Sequence, residues 1–166
     1  MGKSTVDILK TAILLERRGK AFYSTVARQT ESEAVKKVFT MLAEEEDQHI
    51  EFLLEQFAEF EKNQKFAANK IAEPADDEEA SLILSEQMKN EISAASYEAA
   101  AISAAIDFEN RAIEVYQNRA DEADDANEKE LYQMLADWER THHRLLHRLN
   151  EDLKEQIWND NNFWPF

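Results

Sequence analysis

Cysteine is absent from the 166-residue chain. That excludes disulfides, and any zinc or iron–sulfur centre held by the chain's own thiolates. Glycine and proline occur only twice each. Turns draw on both residues, so the chain has few turns and long uninterrupted elements. Basic residues are also scarce, with 19 Lys and Arg against 35 Asp and Glu, for a net charge of −16. Such a chain repels phosphate backbones and attracts cations, so nucleic acid is not an expected partner. No apolar run approaches the roughly 18 residues of a membrane span. The N-terminus lacks the apolar core of a secretory signal. A cytoplasmic location without a membrane partner is the expectation.

What is abundant is Ala, Leu, Glu, Lys, Gln and Arg, all good helix formers. An all-α chain follows, and its length suits one domain with a genuine core. Ser4 or Thr5 caps a first helix whose apolar stripe reads Ile8, Ala12, Leu15, Gly19, Phe22 and Val26. A second helix starts near Ser32 and runs toward Gln64, with Val35, Phe39, Leu42, Glu46, His49, Leu53 and Phe60 in its stripe. The short connection makes these two an antiparallel hairpin over 5–64. Residues 65–94 contain Pro74, an acidic run from Asp76 to Glu79 and a weak apolar segment from Leu82 to Met88. They read as a long crossover carrying a short helix. The second hairpin covers 95–157. Its last helix is capped by Asp124, Asp125 or Asn127 and lined by Leu131, Leu135, Trp138, Glu139, His142, Leu146, Leu149 and Leu153. Residues 158–166, WNDNNFWPF, read as a non-helical aromatic tail that docks on the bundle or on another subunit. The expected architecture is a four-helix bundle of two hairpins with helices two and three parallel.

The two hairpins are copies of one unit. FTMLAEEEDQH, from Phe39, and YQMLADWERTH, from Tyr132, share one pattern at an offset of 93 residues. The same offset lays Glu16 on Glu109, Tyr23 on Tyr116, Glu46 on Glu139 and His49 on His142. The glutamates and histidines fall within the apolar stripes, so four carboxylates point into one interior. Unpaired buried carboxylates cost several kcal/mol each. Two divalent cations would balance four Glu beside neutral imidazoles. Glu and His at i, i+3 share a helix face and can hold one metal together. This donor set suits iron or manganese, and zinc also binds it. The Tyr23 and Tyr116 hydroxyls either orient ligand carboxylates from neighbouring helices or are ordinary core tyrosines. His143 and His147 stand off the repeat register and read as surface residues.

This residue set resembles that of the ferritin-like di-iron carboxylate proteins, which use one Glu from each of two helices and Glu-x-x-His from the other two. Within that superfamily the chain is most similar to the rubrerythrins, through ILLERRGKAFY with EEEDQH and IDFENRAIEVY with DWERTH. The resemblance implies two iron ions held by Glu16, Glu46, His49, Glu109, Glu139 and His142, with Glu46 and Glu139 bridging. It implies reduction of hydrogen peroxide or dioxygen, a homodimer or larger homo-oligomer, and, without Cys, a separate electron-donor protein. Rubrerythrins usually carry another carboxylate one turn past the third-helix ligand, where this chain has Ala112, as the plainer ferritin pattern does. A ferroxidase acting on Fe²⁺ in iron storage is therefore the alternative. A non-catalytic metal-binding or assembly module is a second.

Overall fold

In the computed structural model the described residues are 4–68, 78–93 and 96–160. They form five helices and no strand: α1 (Thr5–Gln29), α2 (Glu33–Asn63), α3 (Glu78–Glu91), α4 (Tyr97–Glu122) and α5 (Ala126–Asp160). This is the all-α, ferritin-like bundle, with α1 and α2 packed as one hairpin and α4 and α5 as the other. The starts follow local chemistry. The side chains of Ser4, Ser32 and Ser96 cap α1, α2 and α4 by accepting from the amides of Asp7, Val35 and Ala99. Asp125 accepts from the Glu128 amide at the start of α5, 2.9 Å away. α2 stops at Gln64, which takes a left-handed conformation with φ 54°.

The crossover helix α3 packs on α2 and α5. Its Glu91 carboxylate accepts from Ser32 Oγ at 2.5 Å and from the Ala34 amide at 3.0 Å. A carboxylate there also suits the positive end of α2. Near the other hairpin, Ser85 donates to Asp152, and Gln156 Nε2 donates to the Lys89 carbonyl at 2.8 Å. The crossover thereby ties the two hairpins together. Among the described residues no helix is long and apolar enough to cross a membrane.

The buried side chains form two apolar clusters rather than one. The first gathers Tyr23, Val26, Phe39, Leu42, Ile102, Ala105, Leu146 and Leu149. The second gathers Leu9, Ala12, Leu53, Ala112, Tyr116, Leu131 and Leu135. On each long helix the conspicuous polar residues fall where one cluster gives way to the other.

Two expectations change. The buried line of α1 is Leu9, Ala12, Glu16, Gly19, Tyr23 and Val26, while Ile8, Leu15 and Phe22 flank it half-buried. Counting apolar residues alone turned the stripe by one position, because Glu16 and Tyr23 occupy its centre. α5 continues to Asp160 rather than ending at Ile157, since each added residue gains a hydrogen bond on an existing helix. The rest of the aromatic tail, with Phe163, Trp164 and Phe166, lies outside the described residues, as do Pro74, Asp76 and Asp77.

Candidate metal centre

Each hairpin delivers three polar side chains to the seam between the apolar clusters. α1 supplies Glu16 and α2 supplies Glu46 and His49. α4 supplies Glu109 and α5 supplies Glu139 and His142. All six are at most 5% exposed. They fall into two groups, Glu16–Glu46–His49–Glu139 and Glu46–Glu109–Glu139–His142. Within each group one donor atom per residue lies within 4.8 Å of all the others. Glu46 and Glu139 belong to both groups.

The geometry repeats across the two hairpins. His49 Nδ1 is 3.0 Å from Glu16, 3.4 Å from Glu46 and 3.1 Å from Glu139. His142 Nδ1 is 3.4 Å from Glu109, 3.4 Å from Glu139 and 3.7 Å from Glu46. The two rings are nearly parallel with centroids 5.5 Å apart. The tyrosines cross between hairpins. Tyr23 on α1 donates to Glu109 on α4, and Tyr116 on α4 donates to Glu16 on α1. Each hydroxyl fixes one carboxylate and leaves the other carboxylate positions facing inward.

So many buried acids perturb one another. Burial, then the neighbouring Glu139 and Glu16, raises the Glu46 carboxyl well above its usual range. Burial and Glu139 push Glu109 up to about 8. Burial acts upward on Glu139 too, but the charge of His49 and the close approach of both imidazoles outweigh it and hold Glu139 well below the usual range. For His49, burial acts downward and is overcome by Glu139 and Glu16, which lift it to about 10. His142 is likewise raised, against burial, by the neighbouring carboxylates of Glu109, Glu139 and Glu45. Protons balance these groups only in part. Both oxygens of Glu46, both of Glu139, Oε2 of Glu109 and Nδ1 of His142 are buried without a hydrogen-bond partner. Orphaned atoms of this kind are rare in native interiors. Here they converge from α2, α4 and α5 and set carboxylates beside an imidazole, a donor set that suits divalent cations.

Close approach also marks the seam. A Cβ placed on Gly19 would lie 3.1 Å from Glu46 Oε1 and 2.9 Å from Phe108 Cε1. Glycine at that position leaves room for the carboxylate shared by both groups.

Some contacts had no clear signal in the sequence. Glu45, the middle of three consecutive glutamates, lies with its carboxylate 2.6 Å from His142 Nε2. Trp138 stacks on His49, with centroids 4.5 Å apart and planes 12° from parallel. A cleft of about 320 Å³ opens beside Ile8, Val115, Tyr116, Arg119 and Tyr132, so Tyr116 stands between it and Glu16. His143 and His147 stack on each other and belong to neither group.

A model of the rubrerythrin family matches residues 7–150, which include all six residues of the two groups and both tyrosines. No curated protein and no solved structure matches the chain significantly.

Proposed function

The chain belongs to the rubrerythrin family, within the ferritin-like di-iron superfamily, and from that premise we propose that it is a di-iron oxidoreductase reducing hydrogen peroxide or dioxygen. The observation that carries this reading is the sharing of Glu46 and Glu139 between two otherwise separate donor groups. Two carboxylates common to both groups would let two cations be held as a pair rather than as independent ions.

Glu16 with His49 would hold one ion, and Glu109 with His142 the other. Iron bound there supplies the two electrons that reduction of a peroxide bond consumes. The protein contributes geometry and exclusion of water. Tyr23 and Tyr116 hold Glu109 and Glu16 in orientation by donating hydrogen bonds to those carboxylates. The apolar clusters on either side seal the seam above and below. Electrons come from a separate donor protein, and the working form is a homo-oligomer.

A second reading has a specific observation behind it. Ala112 is 1% exposed within the second apolar cluster, so α4 brings no further carboxylate to the pair beyond Glu109. Six ligands suffice for a ferroxidase whose substrate is Fe²⁺ itself. A non-catalytic assembly module would instead hold redox-silent zinc.

The deciding experiment loads the purified protein anaerobically with Fe²⁺, counts metal per chain, and then adds peroxide and dioxygen separately. Near two irons per chain with faster oxidation by peroxide is expected. Faster oxidation by dioxygen, together with a large closed assembly in light scattering, favours the ferroxidase. Fewer than two irons per chain sinks the di-iron reading. Glu46→Ala and His142→Ala should abolish paired loading, while His147→Ala should leave it intact.

A further inference from the structure

The two halves of the site are not equivalent. One residue before the shared glutamate of each copy stand Glu45 and Trp138, and each reaches across the bundle to the histidine of the other hairpin. Glu45 on α2 meets His142 on α5, and Trp138 on α5 meets His49 on α2. The contacts differ in kind. His142 Nε2–H donates to Glu45 Oε2 at 2.6 Å, a charge-assisted bond. Trp138 offers His49 the flat face of an indole. An indole face holds a ring by packing and takes no proton from it.

Both histidines turn Nδ1 toward the carboxylates. A group that accepts from the far nitrogen, Nε2, therefore bears on how strong a donor that Nδ1 is. A carboxylate accepting from the far nitrogen draws the proton outward, fixes the tautomer and raises the basicity of the near nitrogen. The Glu45 side chain is 35% exposed, whereas that of His142 is 3% exposed. The bond thus links a partly solvated carboxylate to a buried ring. The tyrosines add no asymmetry of this kind, since Glu16 and Glu109 each accept from one tyrosine of the opposite hairpin.

We infer that Glu45 is a positioning residue that makes the two metal positions unequal: acting through His142, it causes the group Glu46–Glu109–Glu139–His142 to take a divalent cation first and more tightly than the group Glu16–Glu46–His49–Glu139. The inference rests on the reading of the two groups as a metal pair.

The test is an anaerobic calorimetric titration of chelator-stripped protein with Co²⁺, with the visible absorption of the bound ion as a second readout. The wild-type protein should bind two ions in two resolved steps. Glu45→Gln keeps the size of the side chain and removes the charge. It should weaken the tighter step by about 10- to 100-fold, the range for loss of such an outer partner, and leave the weaker step in place. Glu44→Gln removes the same charge from the exposed neighbouring position and should change neither step. Circular dichroism confirms that both variants are folded. Two ions bound with identical affinities, or a tighter step unchanged in Glu45→Gln, overturns the inference while leaving the metal pair standing. Equal weakening by both variants also overturns it, because general charge and not the bond to His142 would then be responsible. Failure of the wild-type protein to bind two ions overturns the metal pair itself.

Discussion

Replacing Gly19 with alanine tests how tightly the fold is built around the shared carboxylate. In an ordinary helix interior the change should help, since alanine is favoured over glycine by about 1 kcal/mol. Here the new methyl would sit 2.9 Å from Phe108 Cε1, 3.1 Å from Glu46 Oε1 and 3.2 Å from Glu46 Cδ. Carbon contacts prefer about 3.5–4.0 Å, so the Phe108 ring must yield by about half an ångström and the carboxylate by a few tenths. Overpacking of a buried site costs about 1–3 kcal/mol. Offset by propensity, the metal-free variant should lie between unchanged and about 2 kcal/mol less stable, a fall in Tm of up to about 8 °C for a chain of this length. The metal-loaded protein should lose more. Ligand geometry must hold to about 0.5 Å, and a tenfold loss of affinity removes a further ~1.4 kcal/mol of metal-derived stability. Urea melts with chelator and with saturating Co²⁺ measure both quantities.

The repeat supplies a rescue. Gly19 and Phe108 correspond in the opposite copies to Ala112 and Leu15. A Cβ is therefore accommodated at the equivalent place where leucine replaces phenylalanine. Gly19→Ala combined with Phe108→Leu should recover most of the lost metal stabilisation. A Gly19→Ala variant about 1 kcal/mol more stable than wild type, with unchanged metal binding, would refute the reasoning.

Removing the hydroxyl in Tyr23→Phe or Tyr116→Phe leaves Glu109 or Glu16 short of a donor in a buried setting, and should lower stability by about 1–3 kcal/mol in urea melts. Losses under about 0.5 kcal/mol would show that these bonds do not hold the carboxylates. Metal-free protein should lose stability as pH rises. Glu109 stays protonated in the fold up to about 8 against 4.5 when unfolded, and His49 up to about 10 against 6.5. Both folded forms keep protons that the unfolded chain has released, so stability falls across that window, and Glu109→Gln should flatten the slope between about pH 4.5 and 8. Metal displaces those protons, so the gap in Tm between loaded and stripped protein should widen from pH 6 to pH 9. Glu46→Leu removes two orphaned buried oxygens. It should stabilise stripped protein by about 1–3 kcal/mol while abolishing paired loading, and a less stable variant would contradict the view that this carboxylate is held in the core only for the metals.

The six residues of the two groups were legible because the chain writes them twice, in register, within stripes that are otherwise apolar. The helices were legible from the scarcity of glycine and proline. Where the sequence misled, a particular physical cause can be named. The stripe of α1 was misplaced by one residue because hydrophobicity ranks Leu15 and Phe22 above Glu16 and Tyr23, and the polar seam between the apolar clusters inverts that ranking. Glu45 was passed over because it stands in a run of three glutamates and its counterpart is Trp138. Comparing two copies selects what they share, so a residue that acts in only one copy cannot be selected. The cleft beside Tyr116 draws its walls from three helices, and helical periodicity within a single segment carries no trace of it.

Agreement and difference between the copies therefore carry separate information. Positions where both copies agree, Glu16 with Glu109, Tyr23 with Tyr116, Glu46 with Glu139 and His49 with His142, would meet needs common to both proposed metal positions: charge balance, a shared carboxylate, an imidazole and a donor to orient one carboxylate. Positions where they differ lie one shell out. Gly19 against Ala112 sets how close α1 comes to Phe108 and Glu46, and Glu45 against Trp138 sets what each histidine meets from the opposite hairpin. A perfectly repeated hairpin would build two identical metal positions, and nothing in the protein would direct a reaction to one of them. With these two differences, the α2 side of the pair is crowded at its shared carboxylate, while the α5 side has its histidine tied to a partly solvated acid. Ions held by such a pair would be unlike, and on this proposal the outer residues, not the ligands, would make them so.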